Sequence, residues 1–161
     1  SYGLETVALR FGNVYGPRSF HKSSVVAKFI RRAMQGKVLE IYGDGEQTRD
    51  FIYTDDLLAA IRLSAVQPDV GGELFQIATA AETTINELVD TLVPILEDHG
   101  ITDVEVTNTE PRTGDIRRNY SDTSKAEKML DWEAKTDLEE GLRRTVLDMS
   151  REPSFEYHGH R

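Results

Sequence analysis

Apolar positions along this chain change period several times, and each change marks the passage from strand to helix. Val7, Leu9 and Phe11 alternate with polar neighbours across Thr6–Phe11 and stop at Gly12, which predicts a buried strand. Gly16-Pro17 breaks the segment. Val26, Phe29, Ile30 and Ala33 then fall at i, i+3, i+4 and i+7, one face of a helix. Ser23-Ser24 offers a cap and Gly36 a stop, so the helix is predicted over 25–35. Residues 38–42 and 47–53 predict short strands flanking Gly43-Asp44-Gly45, with a glycine-rich hairpin as the expected connection.

A helix over roughly 56–66 follows, capped by Thr54 or Asp55 and broken by Pro68 and Gly71-Gly72. Leu74, Phe75 and Ile77 predict a second buried strand at 73–78. Thr84 with Glu87 forms a capping box that opens a helix over 85–99, and Gly100 closes it. A weaker strand is expected at 104–107, a helix from Thr123-Ser124 to about Leu130, and a last helix from an Asp137 cap to about Met149. The end, 151–161, is expected to be a mobile tail. Strands and helices alternate without repeat or linker, so the fold class is α/β, a small mixed sheet with packed helices in one unit.

Composition narrows the classes. A chain of 161 residues can bury one real core. Cysteine is absent, which excludes disulfides and thiolate metal sites and suits the cytoplasm. No apolar run approaches the roughly 20 residues that span a bilayer, so no membrane partner is expected. Net charge is −9, from 28 acidic and 19 basic residues, which disfavours capture of nucleic acid. Arg also outnumbers Lys about two to one, and the acidic, arginine-rich balance suggests adaptation to high salt. The start at Ser1-Tyr2-Gly3, directly in strand-like sequence, suggests part of a longer protein.

Chemistry concentrates in three places. Arg49 follows the glycine turn, where its fork can grip two phosphate oxygens; pairing with Asp50 or Glu46 is the plainer alternative. Glu110-Pro111-Arg112-Thr113-Gly114-Asp115 is a loop that points a cation and an acceptor the same way, Arg112 suiting a phosphate and Asp115 a ribose diol; taken alone, an acidic surface loop punctuated by Pro and Gly is the plainer reading. Asn13 stands just after the first strand, where open α/β sheets bind ligands, although turn asparagines are common. His158-Gly159-His160 provides only two imidazoles, too few for a metal site.

Leu9-Arg10-Phe11-Gly12-Asn13-Val14-Tyr15-Gly16-Pro17-Arg18, read with Leu39–Asp56 and with Arg112-Thr113-Gly114-Asp115 before Asp122-Thr123-Ser124-Lys125-Ala126, resembles the nucleotide-sugar epimerases and dehydratases. These are extended short-chain dehydrogenases that bind NAD in one half and a nucleoside-diphosphate sugar in the other. The resemblance covers about 1–150 and implies the C-terminal, substrate-binding part of an extended Rossmann-type fold, with strands 6–11 and 73–78 in the parent sheet. It implies a UDP-sugar or similar ligand, NAD as the parent's cofactor, and a homodimeric parent. It places Arg49 and Arg112 on the diphosphate, Asp115 on ribose, and Asn13 on diphosphate or sugar. Ile41 and Tyr42 would flank the base, Ser24 and Val25 would offer helix N-terminal amides, and Phe11 and Val14 would pack near the nicotinamide. For Val25 and Tyr42 a core role is equally open, and Asp122 is read as a helix cap.

The family's Gly-x-x-Gly-x-x-Gly loop and Tyr-x-x-x-Lys pair are missing; Tyr120 and Lys125 stand one residue too far apart. A UDP-glucose 4-epimerase type is implied, since dehydratases tend to carry a second Asn where Val14 stands. Ser19 after Arg18, where Gln is frequent, limits the subtype, and dehydratases and UDP-glucuronate decarboxylases stay open. So do a self-standing nucleotide-sugar binding module, an inactive partner subunit and an acidic interaction domain. Salt adaptation has a direct consequence: the melting temperature should rise between low and molar KCl as carboxylate repulsion is screened. An unchanged melting temperature would remove that reading.

Overall fold

The computed structural model describes residues 4–151. The expected tail and His158-Gly159-His160 lie outside the described residues, apart from Arg151, which is in a turn. The first strand, β1 (Ala8–Phe11), runs through Gly12 into β2 (Asn13–Tyr15). A loop leads to helix α1 (Val25–Met34), then β3 (Leu39–Tyr42), β4 (Thr48–Arg49), β5 (Phe51–Tyr53) and helix α2 (Thr54–Val66). The second half holds β6 (Leu74–Ile77), β7 (Thr83–Thr84), α3 (Ile85–Asp98), β8 (Val106–Thr109), α4 (Ser124–Leu130) and α5 (Leu138–Met149). Among the described residues no helix is long and apolar enough to cross a membrane.

The strands pair two by two. β1 runs parallel to β6, β2 parallel to β5, β3 parallel to β8, and β4 antiparallel to β7. The chain changes partner at Gly12: its N–H donates to Ile77 O at 3.0 Å, and the next, of Asn13, donates to Asp50 O at 2.6 Å. A Cβ on Gly12 would lie 2.6 Å from that same Asp50 oxygen, so only glycine lets the two backbones approach. This is a point where strand pairing switches, the kind of place where α/β sheets open a crevice.

Two cores lie on opposite sides of β5. Its Phe51 and Tyr53 enter a cluster with Tyr15, Phe29, Leu39, Leu88, Leu92 and Val146, while Ile52 enters another with Phe75, Ile77, Leu130 and Trp132. The strand's period of two makes this division. Leu88, Leu92 and Leu96, the apolar face of α3, are fully buried, and each contributes roughly 1.5–3 kcal/mol. The capping box forms as expected: Thr84 Oγ1 accepts the Glu87 N–H at 3.0 Å, and Glu87 accepts the Thr84 N–H at 2.7 Å.

Five sequence expectations change. The first strand, expected to be buried, is exposed at Ala8, Arg10 and Phe11 and half-buried only at Leu9, because it pairs with β6 alone. The glycine turn is not a hairpin, because β3 and β4 do not pair with one another. Gly43 and Gly45 do turn with positive φ, but the turn docks on α3, where Asn86 N–H donates to Gly45 O at 3.1 Å. The strand expected over 47–53 is broken at Asp50 into β4 and β5, each with a different partner. Helix α2 starts at Thr54 with Tyr53 in the capping position, so neither Thr54 nor Asp55 is the cap. The weak strand lies two residues later, at 106–109, because pairing with β3 sets its register. Asp122 does accept the Ser124 N–H at 2.9 Å, although Thr123 is the capping position of α4.

Gly141 in α5 packs on the buried ring of Tyr15, and a Cβ there would lie 2.2 Å from the Tyr15 hydroxyl. Helix propensity alone would reward alanine by about 1 kcal/mol. Gly141→Ala should nevertheless lower the melting temperature, since Tyr15 is locked edge-on against Phe51 and Tyr53. A higher melting temperature would show that the ring can move aside.

Candidate functional site

A cleft of about 210 Å³ opens beside the partner switch. Asn13 borders it from the start of β2, Val25 and Lys28 from the first turns of α1, Ile41 and Tyr42 from β3, and Arg49 from β4. Arg112 and Asp115 reach it from the segment between β8 and α4. Seven of the expected site residues thus converge from separate parts of the chain. Tyr42 is 38 % exposed and presents an aromatic wall, whereas Ile41 is buried in the floor. A second cleft of about 540 Å³ shares Tyr42, Gln47, Arg112 and Asp115 with the first and continues past Gly43 and Pro111.

Ser24, Phe11 and Val14 do not border the cleft. Ser24 stands at the N-cap of α1 with no capping bond from its side chain, and its Oγ is buried without a hydrogen-bond partner among the described residues. Phe11 is half exposed at the end of β1, and Val14 packs against the second core.

Arg49 pairs with neither Asp50 nor Glu46. One guanidinium nitrogen forms an ion pair with Asp115, and the other donates to Thr48 O at 2.7 Å and Ile116 O at 2.6 Å. Glu46 instead accepts from Asn86 Nδ2 at 2.7 Å. The cleft therefore contains three cations and two carboxylates, and both carboxylates are engaged, Asp115 with Arg49 and Glu40 with Arg32 at 3.0 Å. Among the described residues Arg112 and Lys28 have no acidic partner. Lys28 rests over the Tyr42 ring, 5.0 Å from its centre. A concave surface with two cations free of acidic partners, an aromatic wall and a carboxylate suits an anionic ligand that carries a planar group and hydroxyls.

The segment that carries Arg112 and Asp115 has no regular structure from 110 to 123 and lies across β4 as a strap. Thr48 N–H donates to Arg117 O at 3.0 Å, and Asn119 N–H donates to Thr48 Oγ1 at 3.3 Å. Arg117 pairs with Asp44 at 2.7 Å, and Arg118 pairs with Glu82 at 2.5 Å.

The family model described as GDP-mannose 4,6 dehydratase matches residues 1–145. The chain belongs to the NAD-dependent epimerase and dehydratase family. It is 35 % identical to a UDP-glucose 4-epimerase of Mycolicibacterium smegmatis, with 90 % of this chain and 45 % of the relative covered. A solved UDP-glucose 4-epimerase from Thermotoga maritima with UDP-glucose superposes with a TM-score of 0.84 at 39 % identity, over 93 % of this chain and 47 % of that one. The UDP-glucose 4-epimerase of Thermus thermophilus, in complex with NAD, gives 0.80 at 29 % identity over 94 % and 48 %. The chain spans about half the length of the relatives it matches. Within this family its fold is part of the Rossmann-type architecture, about half of each solved relative.

Sequence reasoning missed several residues of the cleft. Lys28 was legible as one helical turn beyond Val25, on the same face. Gln47, buried with its Nε2 donating to Tyr42 O at 2.9 Å, had no signal, because its burial depends on the turn docking on α3. The Tyr120 and Lys125 side chains serve elsewhere: Tyr120 lies under Arg118, and Lys125 pairs with Glu73 at 2.5 Å.

The strap's ion pairs set a pH dependence. The Arg118 guanidinium holds Glu82 below the usual carboxylate range, helped by the Thr48 hydroxyl, and Arg117 does the same for Asp44. A depressed carboxyl contributes stability above its ordinary pKa and loses it as pH falls through the folded value. Backbone amide shifts of residues 115–119 should therefore stay constant from neutral pH to about pH 5 and move together below about pH 4. Shifts that begin near neutrality would assign the strap's fastening to other groups.

Proposed function

We propose that this chain is the nucleotide-sugar-binding half of an NAD-dependent epimerase of the UDP-glucose 4-epimerase type. The observation that carries the reading is the convergence of Arg49, Arg112 and Asp115 with the aromatic wall of Tyr42 on one cleft. Relatives about twice as long as this chain include UDP-glucose 4-epimerases, which supports the substrate class. Arg112 binds the diphosphate, and Asp115 accepts from the ribose hydroxyls. Ile41 and Tyr42 flank the base. Asn13 contacts the diphosphate or sugar, and Val25, which borders the cleft where Ser24 does not, contributes the positive end of α1. Arg49 joins Arg112 on phosphate while holding Asp115 and the Ile116 carbonyl in place.

NAD would supply the hydride acceptor and donor at the sugar's C4 position. The residues present fit only one edge of such a cofactor. The sequence has no glycine-rich dinucleotide loop, and Phe11 and Val14 offer only an apolar surface for the nicotinamide side. Exposed Leu4, Phe11, Leu58 and Val66 fit a chain that packs against further protein. In the parent, a homodimer on this reading, this half orients the sugar and neutralises its diphosphate.

Calorimetry should show that residues 1–161 bind UDP, and a coupled assay with UDP-glucose should show no epimerase turnover by this chain alone. Arg112→Ala should weaken UDP about tenfold or more and uridine little, because a charge-assisted contact is worth roughly 1.5–3 kcal/mol. Asp115→Ala should weaken both ligands, since both carry the ribose diol. Equal losses for UDP and uridine in Arg112→Ala would take Arg112 off the phosphate. Turnover by residues 1–161 would overturn the assignment of the half.

A further inference from the structure

Asp50 is a carboxylate 1 % exposed to solvent, and no cationic side chain pairs with it among the described residues. It is held by donors alone. Its Oδ1 accepts the Thr79 N–H at 2.8 Å and the Thr79 hydroxyl at 2.7 Å. Its Oδ2 accepts the Ala80 N–H at 3.1 Å and the Ser121 N–H at 3.2 Å. Its backbone oxygen accepts the Asn13 N–H at 2.6 Å. One residue thus joins the β4–β5 break, the β6–β7 turn, the start of β2 and the end of the strap. Ala80 takes a left-handed φ of 58°, a conformation that costs a non-glycine residue free energy and persists where bonds such as this one hold it.

Three groups of the cleft hang on these bonds. Asn13 is placed by the backbone oxygen, Arg49 is the preceding residue, and Arg112 and Asp115 ride on the strap that Oδ2 anchors at Ser121. The strap's other fastenings include the exposed pairs of Arg117 and Arg118, which water and salt weaken. The Asp50 bonds lie deeper and are not screened. We infer that Asp50 is the positioning residue of the anion-binding cleft, setting through its buried carboxylate where Arg112 and Asp115 stand relative to Arg49. The role in binding rests on the nucleotide-sugar reading above; the anchoring of the strap does not.

Asp50→Asn keeps the side chain's volume but turns one acceptor oxygen into an NH2 donor, which faces backbone N–H groups. In the protein that carries this chain, amide hydrogen exchange at Asn119 and Ser121 should then accelerate about tenfold or more, with α3 amides unchanged. UDP affinity should fall about tenfold. Arg112→Ala added to Asp50→Asn should cost far less than Arg112→Ala alone, because a displaced strap has already lost that contact. Unchanged strap exchange, or fully additive losses, would overturn the proposal. Failure of the wild type to bind UDP would overturn the nucleotide reading, while the exchange measurement would still decide the anchoring. Should Asp50→Asn not fold, Ser121→Pro deletes the same N–H from the half-buried end and should reproduce the faster exchange at Asn119. Ser121→Ala keeps that N–H and should behave as wild type; an equal effect in Ser121→Ala would overturn the proposal too.

Discussion

A buried carboxylate must find its hydrogen bonds inside the protein, and Asp50 finds them on two other segments of the chain while its backbone oxygen binds a third. The demand matters here because the strands are too short to organise the fold by themselves. Each pairs with a single partner over two to four residues, and the pairs meet where β1 passes into β2 and β4 breaks before β5. Both events occur at Asp50, where Gly12 allows its backbone to come close. The cleft opens at the same place, so the constraint that joins the sheet fragments also fixes the geometry of the site.

The electrostatics of the cleft run against the charge of the whole molecule. The chain is strongly acidic, yet the carboxylates that border the cleft are each occupied by an arginine, leaving Arg112 and Lys28 without an acidic partner among the described residues. The surface elsewhere engages its arginines in pairs such as Arg143 with Asp98 and Glu139, and Arg144 with Glu140. Within the cleft these cations stand at a concave surface, where positive charge acts on an anion more strongly than it would on an open, solvated face.

Family membership and half-length coverage bear on how such an enzyme divides its work. Residues proposed to recognise a nucleoside diphosphate need rigid placement, because the ligand's own torsions are free, and here the placement comes from helix ends, a docked turn and a strap. Residues that handle hydride and proton act at the sugar, a different part of the substrate. On the proposed reading, a half that grips the diphosphate and orients the sugar is chemically coherent with epimerisation, in which the hexose must present both faces to one cofactor.

Local chemistry in the sequence determined the helices almost to the residue. The 3.6-residue spacing of Val26, Phe29, Ile30 and Ala33, the Thr84–Glu87 capping box and the Asp137 cap each involve groups within one or two turns of one another. The positions of strands β1 and β6 were legible too, although β1 is not the buried strand its alternation suggested, and the residue types of the cleft were legible as motifs. Pairing was not. Whether the Gly43–Gly45 turn closes a hairpin, which register β8 takes, and which carboxylate meets Arg49 all depend on segments tens of residues away. Arg49 had two acidic neighbours in sequence, but Glu46 was taken by Asn86 and Asp50 by Thr79, Ala80 and Ser121, which left Asp115. A hydrogen-bonding group chooses among every partner the fold brings within about 3 Å, and only the tertiary structure supplies that list.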